Sequence, residues 1–262
     1  MIAPPRAQLA DVDGHRLAWW SSGTGTPTVV LETGLGAESA EWQSVQSRIE
    51  GRFRVFRYDR SGRGASGPAT APQDAALMVD RLARLLRASG TPPPWLLVGH
   101  SFGGLLMRLF AHRYRAQVHG LVLVEAMHED QFDVFSTAFS EPTETDPPVL
   151  TQMKTLWRGA WRDPNSTAER IDFPASFQEV RAVESLGNLP LRVLVAGSYQ
   201  NSRLFPPERR NALQLEWERL QQTLLRMSSR ATWVRLPLSE HFVQRDDPRA
   251  IVDAIDAVSR MR

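Results

Sequence analysis

The sequence predicts an α/β protein: a mostly parallel central sheet flanked by helices. Three observations carry that expectation: short apolar runs recur along the chain, helix-period patterns stand between them, and one strand-poor stretch interrupts the alternation. Runs that are apolar at every position suit strands covered on both faces. With 262 residues, 42% of them hydrophobic and 23% charged, the chain can bury roughly three quarters of its unfolded surface without a metal or disulfide.

The chain opens with two stretches of period-two alternation, Gln8 to Asp11 and His15 to Trp20, joined by Asp13-Gly14, a pair suited to a two-residue hairpin. After the turn-rich segment Gly23 to Pro27 come the apolar runs Val29 to Glu32, Phe53 to Tyr58, Trp95 to Val98, Val118 to Val124, Leu191 to Ala196 and Thr232 to Leu236. Between them, Asp74 caps an expected helix carrying Leu77, Leu82 and Leu85, and Ser101 to Arg115 places Leu105, Leu106, Leu109 and Phe110 on one side. A later stripe is formed by Leu213, Trp217, Leu220 and Leu224. The last helix has Asp247 as cap, Pro248 at its first position and Ile251, Ile255 and Val258 along one face. Residues 127–188 carry no strand pattern and are divided by Pro142, Pro147, Pro148, Pro164 and Pro174. They read as a helical lid inserted before the last two strands, into a core formed by residues 1–126 and 189–262.

Composition excludes several functions. Cysteine is absent, which removes thiol nucleophiles, Cys-ligated zinc and iron–sulfur clusters. The pI near 9.5 suggests a polyanion partner until it is set against the charge, since 31 basic and 29 acidic residues leave only +2. All the basic residues but Lys154 are arginines, which stay charged far above neutrality, so a small surplus raises the pI without building a field. No nucleic-acid partner is expected. Met1 to Asp13 lacks the apolar core of a signal peptide, and no apolar run of about 18 residues offers a membrane span. A cytoplasmic monomer or homodimer is the expectation.

The sharpest motif is Gly99-His100-Ser101-Phe102-Gly103, a G-x-S-x-G directly between an expected strand and an expected helix. A serine exposed at such a sharp turn needs small flanking residues, because the backbone is strained and strand and helix crowd it. Together with Asp59-Arg60-Ser61-Gly62-Arg63-Gly64-Ala65-Ser66 and the late Ser239-Glu240-His241-Phe242, the motif makes the chain resemble the α/β-hydrolases over nearly its whole length. The resemblance implies Ser101 as nucleophile, followed along the chain by an acid and then a histidine. His241, in a loop after the last strand, takes the base position. His100 reads as packing, His15, His112 and His119 as ordinary structural or surface residues, and His128 as a loop residue at the start of the lid that can touch substrate.

The acid is a choice between two strands. The run Leu191 to Ala196 is followed by Gly197-Ser198-Tyr199-Gln200-Asn201, without a carboxylate, whereas Leu121 to Val124 leads into Glu125. A charge ending so apolar a strand is costly to bury without a partner, and a His241 imidazolium is the natural one. Glu125 is therefore the expected acid, with Glu129 and Asp130 as fallbacks. The resemblance also implies an oxyanion hole of two backbone N–H groups. Phe102 supplies one and Leu35 the other, in Thr33-Gly34-Leu35-Gly36, which keeps the family's glycine but not its histidine.

One competing motif is present. Gly62 to Gly67 fits G-x-G-x-x-G, but Pro68 and Pro72 delay the next helix to Asp74, and no acid stands where a ribose would need one. No cofactor and no metal site are expected. The implied function is a serine hydrolase cleaving small, neutral or apolar carboxylic esters through an acyl-enzyme, with Phe132, Trp157 and Trp161 of the lid as candidate substrate contacts alongside His128. Amidases, lactonases, carbon–carbon hydrolases and cofactor-free perhydrolases use the same triad, and a non-catalytic ligand receptor on this fold is the rival from another class.

Overall fold

The computed structural model describes residues 7–261. The start of the Met1 to Asp13 segment, residues 1–6, lies outside them. Eight strands, β1 (Gln8–Val12), β2 (His15–Ser22), β3 (Thr28–Glu32), β4 (Val55–Tyr58), β5 (Trp95–His100), β6 (Val118–Val124), β7 (Leu191–Ala196) and β8 (Ala231–Leu236), form one sheet in the order β1-β2-β4-β3-β5-β6-β7-β8. The first hairpin and the β2–β4 pair are antiparallel, and every other pairing is parallel. Asp13 and Gly14 both have positive φ, 56° and 75°, which is the backbone a two-residue hairpin requires.

The helices are α1 (Gln43–Ile49), α2 (Ala75–Ala88), α3 (Phe102–Arg113), α4 (Gln131–Phe135), α5 (Pro148–Arg158), α6 (Phe173–Arg181), α7 (Pro207–Thr223), α8 (Val243–Asp246) and α9 (Pro248–Ser259). Alternate residues of the central strands enter two separate cores. Leu96 and Val98 join Val45 and Ile49 of α1 and Ile251, Ile255 and Val258 of α9. Trp95 and Leu97 join α2, α3 and the helices inserted between β6 and β7. Because side chains alternate across a strand, burial on both faces makes each run apolar throughout.

Asp74 and Asp247 cap α2 and α9 as their positions predict, accepting from Leu77 N at 2.8 Å and Ala250 N at 3.0 Å. Of the three leucines expected along α2, Leu82 and Leu85 are buried with Met78, Val79, Ala83 and Leu86, while Leu77 is 50% exposed. Helical period explains the difference between them, since 78, 82 and 85 share a face and 77 lies off it. The short helix α1 was not legible in advance, because only Val45 and Ile49 mark its apolar side. Leu224 of the expected stripe lies just past α7, in a 3₁₀ turn.

Between β6 and β7 the chain forms α4, α5, α6 and short 3₁₀ turns, and its ladder contact with the rest of the molecule is the isolated bridge Gln73–Ile171. Their aromatic side chains pack on one another: Phe132 stacks on Trp161 at 5.2 Å and meets Trp157 at 4.9 Å and Phe173 at 5.5 Å. Phe173 also meets Phe102 at 5.5 Å, joining this cluster to the start of α3. Among the described residues no helix is long and apolar enough to cross a membrane.

Candidate active site

Ser101 stands alone between β5 and α3 with φ 51° and ψ −123°. A side-chain-bearing residue held there costs about 1–3 kcal/mol, so its surroundings must over-determine it. They do so through close approach. A Cβ on Gly99 would sit 2.5 Å from the Gly103 carbonyl oxygen, and one on Gly103 would sit 2.5 Å from the carbonyl oxygens of both Glu32 and Thr33. The Ser101 N–H donates to the Val124 carbonyl at 3.1 Å, and its own carbonyl accepts from Gly104 N at 2.8 Å and Met127 N at 2.9 Å. The turn is thereby tied to β6 and to the chain leaving it.

Glu125 follows β6 directly and is fully buried, with φ 47°. Oε1 accepts from Ala196 N at 2.5 Å and Oε2 from Ser198 Oγ at 2.7 Å; Trp217 Nε1 donates to both oxygens, at 3.0 and 3.1 Å. His241 Nδ1 is 3.7 Å from Oε2, and the His241 side chain is 43% exposed. The pairing of β6 with β7 explains the placement: Val124 lies beside Leu194, so the next residue faces the chain leaving β7. Three donors besides the imidazole surround the buried carboxyl group. Ser198 supplies a hydroxyl from the very loop that carries no carboxylate.

His241 occupies the loop between β8 and α8. Its carbonyl accepts from His100 Nε2 at 2.7 Å, and the two rings are 4.8 Å apart. Burial, with the neighbouring His241 behind it, holds the His100 pKa well below the ordinary imidazole value. His100 is thus neutral, and because a carbonyl can only accept, its proton is assigned to Nε2. Beyond packing, its expected role, His100 anchors the backbone of His241. Among the described residues no hydrogen bond joins Ser101 to His241; the two follow the carboxyl ends of β5 and β8, and His100, next to Ser101 in the chain, holds the His241 backbone.

The loop after β3 lies against the elbow, since a Cβ on Gly34 would be 3.2 Å from Ser101 Cβ. Among the described residues the N–H groups of Leu35 and Phe102 have no hydrogen-bond partner. Behind this loop stands a buried charge cluster that the sequence did not announce: Arg60 Nη1 meets Glu32 Oε1 at 2.5 Å and Arg60 Nε meets Glu169 Oε2 at 2.6 Å. Burial raises the Glu32 pKa against the opposing pull of Arg60.

The fallback acids are engaged elsewhere. Arg108 donates to both oxygens of Glu129, at 2.6 and 3.0 Å, and Arg181 pairs with Asp130 at 2.7 Å. Burial opposes the Glu129 charge, but Arg108 draws its pKa down to about 2. His128 is buried, with Nε2 2.9 Å from Thr223 Oγ1 and Nδ1 accepting from Asp130 N at 3.1 Å. Phe132 and Trp161 are buried in the aromatic cluster, and Trp157 is half-buried against it.

The segment 62–67 forms a closed turn, not the opening of a helix. Gly62 N donates to the Gly67 carbonyl at 2.8 Å, Asp59 accepts from Ser39 N and Ala65 N, and α2 begins only at Ala75. No helix N-terminus is available there for a pyrophosphate. Among the described residues no three His, Asp or Glu side chains are grouped to hold a metal ion.

A family model described as the alpha/beta hydrolase fold matches residues 27–204. The uncharacterised protein YqjL of Bacillus subtilis is 30% identical over 234 residues, covering 89% of this chain and 83% of that one. Among solved structures, the esterase EaEST from Exiguobacterium antarcticum superposes with a TM-score of 0.66 at 15% identity, covering 98% of this chain and 100% of that chain. A thermophilic esterase from Thermogutta terrifontis does so with a TM-score of 0.63 at 20% identity, covering 96% and 97%. At these identities the structural likeness establishes the shared architecture.

Proposed function

We propose, from the premise that this chain belongs to the α/β-hydrolase fold family, that it is a serine hydrolase cleaving carboxylic esters through an acyl-enzyme. Ser101 Oγ attacks the ester carbonyl as His241 takes its proton. Glu125, buried and held by three donors, keeps the imidazole oriented and stabilises its positive charge. The N–H groups of Leu35 and Phe102 receive the oxyanion of the tetrahedral intermediate. His241 then gives its proton to the leaving alcohol, and water repeats the sequence to release the acid.

The observation that carries this reading is the strained Ser101, held between two obligatory glycines at the sheet edge where Glu125 lies 3.7 Å from His241. Strain of this kind persists where function requires a side chain to be presented. The helices inserted between β6 and β7 act as a lid, and their aromatic composition favours a neutral or apolar acyl group.

Labelling with a fluorophosphonate probe tests the assignment. The probe is expected to modify Ser101 alone, and Ser101→Ala and His241→Ala are each expected to lower kcat on p-nitrophenyl esters by roughly 10⁴- to 10⁶-fold with folding intact. A folded wild-type protein that takes no label would overturn the reading.

A further inference from the structure

Arg60 is 97% buried yet fully charged, and its donors converge on one short loop. Nη1 reaches the Thr33 carbonyl at 2.7 Å as well as Glu32, Nη2 reaches the Gly34 carbonyl at 2.7 Å, and Nε reaches Glu169. The other oxygen of Glu169 accepts from Gly36 N at 2.6 Å. The Arg60–Glu169 pair therefore grips the loop 33–36 at three backbone groups. The guanidinium also lies 5.5 Å from the Phe102 ring. Glu169 comes from the stretch between β6 and β7, just ahead of α6.

Stability alone does not account for such a cluster. Two carboxylates and a guanidinium removed from water are often no better than apolar residues of the same volume. Burial opposes the Arg60 charge, and Glu169 and Glu32 together more than offset it, raising its pKa. The geometry indicates what is gained. The Gly34–Leu35 peptide is trans, so its carbonyl and N–H point to opposite edges. With the Gly34 carbonyl fastened to Arg60, the Leu35 N–H is directed away from Arg60, and that N–H has no partner among the described residues. The Gly34 backbone on this turn is the part that abuts Ser101.

We infer that Arg60 is a positioning residue for the oxyanion hole, and that Glu169 locks it in place, making the hole's geometry depend on the docking of the inserted helices. The inference rests on the acyl-transfer reading above. Arg60 fixes the peptide bearing one donor and packs on the side chain of the residue bearing the other. Glu169 is the link by which movement of the inserted segment would reach the reaction centre.

The test uses Glu169→Gln in the full chain, assayed on p-nitrophenyl esters with active sites counted by fluorophosphonate. The amide can still accept from Gly36 N but turns a donor toward Arg60. The expected result is a roughly 10- to 100-fold fall in kcat per titrated site, KM within about 3-fold, and a parallel loss of affinity for a trifluoromethyl ketone, whose adduct carries the oxyanion. A structural role alone would lower the melting temperature and leave kcat per site and ketone affinity at wild-type values; that outcome overturns the inference while leaving the serine hydrolase reading intact. If Glu169→Gln lacks a cooperative melting transition, Glu169→Asp takes its place. It keeps the charge but is one methylene short, so one of its two contacts is lost, and a smaller parallel fall is expected. A wild-type protein without label or esterase activity removes the proposed function and this inference together.

Discussion

Glu125 faces His241 across 3.7 Å while the Ala196 N–H, Ser198 Oγ and Trp217 Nε1 all donate to its carboxylate. Donors converging from three sides leave the side chain one orientation. The imidazole is the remaining partner, and the exposed one. Glu125→Gln would keep the shape but bring an NH₂ against existing donors. The expected fall in kcat is on the order of 10³- to 10⁴-fold, as for loss of the orienting acid in other triads. Glu129→Gln and Asp130→Asn should leave kcat per folded site near wild type, because both acids face arginines. Steady-state kinetics on the three variants decides the matter, and a reversed ranking would move the acid into the inserted segment.

Trp217 supplies the longest reach to the carboxylate. Trp217→Phe keeps an aromatic ring against Tyr199 and Phe135 but deletes the N–H shared by both Glu125 oxygens. Removing a donor from a buried charged acceptor costs about 1–3 kcal/mol, and denaturant titration should show a loss of that size with an unchanged m-value. Ser198→Ala should behave alike. An unaltered midpoint in both would mean that the carboxylate is not held as the distances indicate.

The pH dependence of stability follows from His100. Burial, then the proximity of His241, hold its folded pKa well below 6.5, whereas the unfolded chain titrates near 6.5. Below that pH the unfolded state binds more protons, so stability is complete above about pH 6.5 and declines as pH falls. One such group contributes a slope of at most about 1.4 kcal/mol per pH unit. His128, also shifted downward by burial, adds in the same direction. Melting temperatures should therefore drop from pH 7 to pH 5, less steeply in His100→Gln, which retains an N–H for the His241 carbonyl. Equal slopes would contradict a neutral, buried His100.

What could be read in advance follows the range of the interactions involved. Ser101 was legible because its demands are local: a strained turn needs glycines two residues away on each side. Glu125 was legible as an anomaly, a charge ending an apolar strand. Its donors were not, since Ser198 and Trp217 reach it only through the β6–β7 pairing and the packing of α7. Arg60 and Glu169 are 109 residues apart, and neither position differs locally from a solvated arginine or glutamate. On α2, Met78 and Val79 carry as much of the core as Leu82 and Leu85, while Leu77 faces solvent.

The elbow glycines separate steric necessity from mere flexibility. A Cβ on Gly103 would meet the carbonyl oxygens of Glu32 and Thr33 at 2.5 Å, and both atoms belong to the backbone at the end of β3 and the loop that follows it. No side chain can rotate away to relieve the contact, so β3, the following loop or α3 must shift. Gly103→Ala is expected to destabilise by at least about 3 kcal/mol, the upper range for overpacking, because the clash is with main chain. Any fraction that folds should label slowly with fluorophosphonate, since the same shift displaces Ser101 from the loop bearing Leu35. Gly51→Ala is the control. Nothing lies within 4 Å of a Cβ there and its φ is not in the left-handed region, so its stability should stay within about 0.5 kcal/mol of wild type. Comparable midpoints for the two variants in thermal or urea unfolding would show that the elbow is not packed as tightly as its geometry requires.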